Sequence, residues 1–147
     1  GVNAEVKDLG SIKPALESVR QHDARSWVYF QAQEKKEKYK LARSLDAHIA
    51  LLFAALTQED LDWALGLRDD FLLVIEIAKA TRTPRNIAAI HAAGKLATED
   101  AWHMSPLHME FAGATCRPLY AQKIDIAVSN RPAGCVRQRN ASRSYFP

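Results

Sequence analysis

Two arginine–histidine pairs, Arg85 with His91 and Arg43 with His48, hold the residue types that phosphate chemistry uses. A histidine can serve as general acid and base while an arginine neutralises charge developing on phosphate. His103, His108, Cys116 and Cys135 supply donor types that suit zinc. Pro106 stands between those histidines, however, and the two cysteines are too far apart in sequence for a compact zinc knuckle. No carboxylate pair, glycine-rich phosphate loop or nucleophile elbow is visible. No metal and no cofactor is therefore expected, and enzyme activity has no positive support. The cysteines, too few for a disulfide framework, read as free thiols in a reducing, cytoplasmic setting.

A longer pattern runs from Thr57 to Leu96. Thr57-Gln58-Glu59, Leu61, Leu65-Gly66-Leu67 and Ile75-Glu76 resemble the helix-turn-helix of the phage-repressor type of DNA-binding family, with Pro84 and the residues to Leu96 similar to its following helix. The resemblance covers 57–96. It implies a helix pair that enters a major groove, with Gln58, Arg68, Arg82 and Arg85 touching phosphates and the tail residues Arg137 and Arg139 adding to the contact. Asp62, Asp69, Asp70, Leu73 and Val74 depart from that family's pattern. The Arg85-Asn86 to His91 segment is similar to the signature of the helical HEPN ribonucleases, which implies a second nucleic-acid reading.

The elements that would position these residues read as helices. Ser11 to Pro14 opens one, and no glycine or proline then interrupts the chain until Gly66. Leu41, Leu45, Ile49, Leu52 and Leu56 recur at helical spacing, which predicts one long helix from Ser26 to Leu56. Thr57 and Thr83-Pro84 mark further helix starts. Phe71 to Ile75 reads as the most buried helix. After Cys116 the helical signal fades, and Ile124, Ile126 and Val128 alternate as in a short strand or extended arm.

The 147 residues, 48% of them apolar and 25% charged, are enough for one ordinary core. No apolar stretch approaches the roughly 20 residues of a spanning helix. All 17 acidic residues lie at or before Asp125, whereas Arg131, Arg137, Arg139 and Arg143 follow with no acid among them. The expectation is an all-α helical bundle over 1–125 with a basic, flexible arm over 126–147. The expected function is non-enzymatic protein–protein contact, through a homodimer, with Trp27, Tyr29, Phe30, Leu45 and Ile49 at the interface. DNA binding is the alternative.

Overall fold

A computed structural model describes residues 2–31, 36–101, 116–129 and 132–143. The chain folds as α/β rather than all-α, and it divides into two units, Gly1–Glu76 and Ile77–Pro147.

The first unit alternates strands and helices: β1 (Val2–Glu5), α1 (Ile12–Gln21), β2 (Val28–Gln31), α2 (Lys36–Leu45), β3 (Ala50–Ala55), α3 (Gln58–Gly66) and β4 (Leu72–Ile77). The strands neighbour one another in chain order, and β1–β2 and β2–β3 pair in parallel. The long helix expected from Ser26 to Leu56 is thus β2, α2 and β3. Helical spacing misleads here because Ile49 to Leu56 is apolar at every position, and an unbroken apolar run of that length equally suits a parallel strand buried on both faces. Leu51 to Ala55 are all buried. The chain turns between α2 and β3 without glycine or proline. Instead, the Asp46 carboxylate accepts the His48 backbone N–H at 3.0 Å, and Arg43 Nη1 donates to the carbonyls of Asp46, Ala47 and Ile49.

The helix expected over Phe71 to Ile75 is likewise strand β4. No helix follows α3 within the first unit, so residues 67–76 do not form the second member of a helix pair. The local capping signals appear as expected: Thr57 Oγ1 accepts the Asp60 N–H and Thr83 Oγ1 accepts the Asn86 N–H.

Register assigns the faces of the sheet. Ala4, Phe30 and Leu51 share one face, and period two adds Phe53, which packs against Tyr39 of α2 and Trp63 of α3. Asn3, Glu5, Tyr29, Gln31, Ala50 and Leu52 lie on the opposite face. Phe30 and Ile49 are buried in this core, so they cannot serve as the partner contacts expected of them, and Leu45 is half-buried at the end of α2. Of the expected contact residues, Trp27 remains exposed and Tyr29 and Leu45 half-buried, on separate elements rather than along one helix.

The second unit holds α4 (Pro84–Ala92), β5 (Leu96–Asp100), α5 (Cys116–Ala121), β6 (Ile126–Val128) and α6 (Pro132–Arg143), and β5 pairs with β6 in parallel. The expected flexible arm contains that strand and a twelve-residue helix. Cys116 and Cys135 form a disulfide between α5 and α6, correcting their reading as free thiols. Among the described residues, no helix is long and apolar enough to cross a membrane.

Candidate functional site

Parallel α/β sheets bind ligands at the carboxyl ends of their strands, where side chains from successive loops converge. In the first unit a polar row runs up to that edge, from Asn3 within β1 to Gln31 and Glu76 near the ends of β2 and β4. Asn3 Nδ2 donates to Gln31 Oε1, and Gln31 Nε2 donates to Glu76 Oε2 at 3.0 Å. The row joins β1, β2 and β4 and therefore crosses β3. The β3 residues on this face, Leu52 and Ala54, are apolar and offer the row no polar partner. Neighbouring strands lie about 4.8 Å apart, so the gap from β2 to β4 is within the combined reach of two extended side chains.

Gln31 fixes the polarity of the row, since its amide oxygen accepts from one side and its amide nitrogen donates to the other. Glu5 follows Asn3 on the same face, next to Gln31 in register, and pairs with Lys7. Tyr29 lies one step below Gln31. Burial pushes its hydroxyl above the ordinary value of 10.0, so it stays protonated and able to donate throughout the physiological range.

The loop after β1 is held from beneath. Lys38 of α2 is buried, and its ammonium donates to the carbonyls of Val6 at 3.0 Å and Lys7 at 2.7 Å. Asp8 accepts both the backbone N–H and the hydroxyl of Ser11, fixing the entry to α1. Lys36, at the start of α2, pairs with Glu59 and Asp60 at the start of α3 and lies over the Trp63 ring. The loop after β1 and the starts of α2 and α3 are thus tied by charge.

At the opposite end of the same strands lies a groove of about 690 Å³ whose lining includes Trp27, Tyr29, His48, Phe71 and Leu73. Trp27 is 69% exposed, and His48 meets Phe71 edge-on. The groove's flank is built on Asp46, whose side chain is only 4% exposed and which accepts from Arg25 at 2.7 Å and Arg20 at 3.4 Å. Burial works to raise the Asp46 pKa, but the His48 N–H and the two guanidinium groups outweigh it and hold the carboxyl below 3.8. Asp69 is similar: burial opposes ionisation, whereas Tyr39, the Phe71 N–H and Arg43 prevail and keep it depressed. Burial first, and then the Asp69 carboxylate, push the Tyr39 hydroxyl far upward against the opposing charge of Arg43.

Both carboxylates therefore stabilise the first unit while ionised. A depressed folded-state pKa contributes stability that is complete above the unfolded value and lost as pH falls through the folded one. Urea midpoints should hold steady from pH 7 to about 5, then drop below about pH 4, and Asp46→Asn should flatten that acid limb. An acid limb that keeps its full depth in Asp46→Asn and Asp69→Asn would assign it to other groups.

The remaining sequence-derived candidates are dispersed. Gln58 is exposed and donates to Asp62 of its own helix, and Arg68 and Arg85 are exposed. Arg82, expected to meet phosphate, instead donates to the fully buried Glu99 at 2.6 Å. His91 pairs with Asp125 at 2.8 Å, and Arg43 is bonded to Asp69, so neither arginine–histidine pair presents two uncommitted groups. Trp102, His103 and His108 lie outside the described residues. Among the described residues no His, Cys, Asp and Glu side chains gather in a metal-holding group. Arg137 and Arg139 lie on α6, the first exposed and the second half-buried. Sequence reasoning missed Asn3, Gln31 and Glu76; the last two each close an apolar stretch, Trp27 to Phe30 and Phe71 to Ile75, which becomes informative once those stretches are strands.

No protein-family model matches the chain, and neither a characterised protein nor a solved structure matches it.

Proposed function

We propose that the first unit binds a small solute rich in hydrogen-bond donors, a polyhydroxylated or amine-bearing molecule, at the carboxyl edge of its strands. The observation that carries this is the Asn3–Gln31–Glu76 row, three polar side chains from three strands hydrogen-bonded across the face that also carries Glu5. Glu5 and Glu76 supply carboxylate acceptors for hydroxyl or ammonium groups, Gln31 can both accept and donate, and the Lys38-held loop after β1 forms one side of the rim. Pre-fixed polar groups bind with little ordering cost. Protein–protein contact, the function expected from sequence, ranks second, because of its expected anchors only Trp27 keeps a largely exposed ring. The Cys116–Cys135 disulfide supports an oxidising compartment for this function rather than the cytoplasm.

Ligand-observed NMR with monosaccharides, amino sugars and short diamines tests it. At least one class should bind, and Gln31→Ala should weaken that binding about tenfold, the worth of a hydrogen bond to a charged group. Glu76→Gln separates the ligand chemistries, since an ammonium ligand loses most of its affinity and a neutral polyol loses less. A bound solute indifferent to both variants, or no binding from any of the three classes, overturns the proposal.

A further inference from the structure

Most arginines of the first unit are committed internally. Arg20 and Arg25 share Asp46, and Arg43 holds Asp69; in the second unit Arg82 holds Glu99. The last part of the second unit differs. α5 and α6 contain no acidic residue at all, yet they carry Arg117, Arg137, Arg139 and Arg143. Lys123 follows α5 in a left-handed turn. Arg117, Lys123 and Arg137 are exposed and Arg139 is half-buried, and among the described residues no carboxylate pairs with any of the four. The nearest acid in sequence, Asp125, is occupied by His91 and by the Ala97 backbone N–H at 2.8 Å.

These cations are also held in place. The Cys116–Cys135 disulfide, with both cysteines buried, pins α6 against α5. Arg139 falls one helical turn after Cys135, on the side that faces α5, close enough to Tyr120 for its charge to act on that hydroxyl. Arg139 thus braces the helix pair, while Arg117, Lys123 and Arg137 stay exposed. A cationic surface with no internal neutralisation, presented on a cross-linked helix pair, is complementary to a closely spaced row of anions.

We infer that the disulfide-linked α5–α6 pair is a docking surface for the phosphate backbone of a nucleic-acid duplex, read without regard to sequence. The cations that carry charge on both helices are arginines, whose planar fork suits phosphate oxygens better than a point charge does. Gln138 and Asn140 add uncharged groups of the kind that contact phosphate and sugar. An anionic membrane fits less well, because a membrane-surface helix needs a broad apolar face with large side chains, and α6 exposes only Val136 among large apolar residues. This surface uses none of the residues of the carboxyl-edge row, so the two sites fail or stand separately.

Fluorescence anisotropy of a labelled random-sequence duplex, titrated with the full 147-residue chain at low and moderate salt, tests the inference. Binding should weaken with salt, and Arg117→Gln with Arg137→Gln should reduce affinity about tenfold and lower the salt slope by about one for each lost phosphate contact. The corresponding double lysine replacement should keep most of the affinity, which separates lost charge from lost folding. Arg68→Gln with Arg85→Gln, on other elements, should leave binding unchanged. The inference is overturned if the duplex does not bind, or if binding ignores the Arg117 and Arg137 replacements. It is also overturned if poly-glutamate competes as well as duplex, or if phosphatidylserine vesicles bind where duplex does not.

Discussion

Replacing Phe53 with alanine should cost the first unit about 3–5 kcal/mol, the usual range for emptying a buried aromatic site. Phe53 is fully buried at the centre of β3, with the Trp63 ring centroid 4.9 Å away and the Tyr39 centroid 6.2 Å away. Those rings belong to two different helices, so one truncation unseats both helices from the sheet. Urea denaturation followed by tryptophan fluorescence reads it directly, because Trp63 reports the contact being lost. Phe53→Leu, which leaves a smaller cavity, should cost well under half as much. A loss below about 1 kcal/mol for the alanine variant would mean that this face of β3 is not the packed core.

A comparable loss is expected in the second unit from Arg82→Met, about 3–5 kcal/mol, the range for removing one partner of a buried ion pair. The Glu99 side chain has no solvent exposure, and its carboxylate lies 2.6 Å from Arg82 Nη1, itself 12% exposed. Methionine conserves most of the arginine stem, so the cost arises from a carboxylate deprived of its cation rather than from lost packing. A double variant identifies this cause. Arg82→Met together with Glu99→Gln should recover much of the loss at neutral pH. A double variant no more stable than Arg82→Met alone would instead point to packing.

How much of this was legible in sequence depended on the range of the interaction concerned. Helix starts were readable because a cap is local: Thr57 and Thr83 bond to backbone N–H groups three residues on, and Pro84 sits in the first turn. The strands were not. In a parallel sheet buried on both faces, polar and apolar residues do not alternate, and Ile49 to Leu56 carries the same apolar signal as a buried helix. The short turn at Asp46 and His48 removed the punctuation that would have separated α2 from β3. The polar row was hidden by the same error, because Asn3, Gln31 and Glu76 come together only when three separate segments are laid side by side. Arg82 shows the opposite failure: in sequence it is one more cation, and only the fold supplies Glu99. The cysteines were misread for want of the same long-range information, since two residues so far apart in sequence do not announce that α5 and α6 will meet.

The chain-order arrangement of β1 to β4 also bears on how the first unit is made during synthesis. Val2 pairs with Val28 and Tyr29 with Ala50, so each new strand docks on the strand just before it after a loop of a single helix. Loop-closure cost grows only slowly with length and is small for connections of this kind. Assembly can therefore advance from the amino terminus as the chain leaves the ribosome, one strand and helix at a time. At every stage the most recent strand is an unprotected edge, and the apolar β3 is the one most exposed to pairing with a neighbouring nascent chain until β4 arrives to cover it.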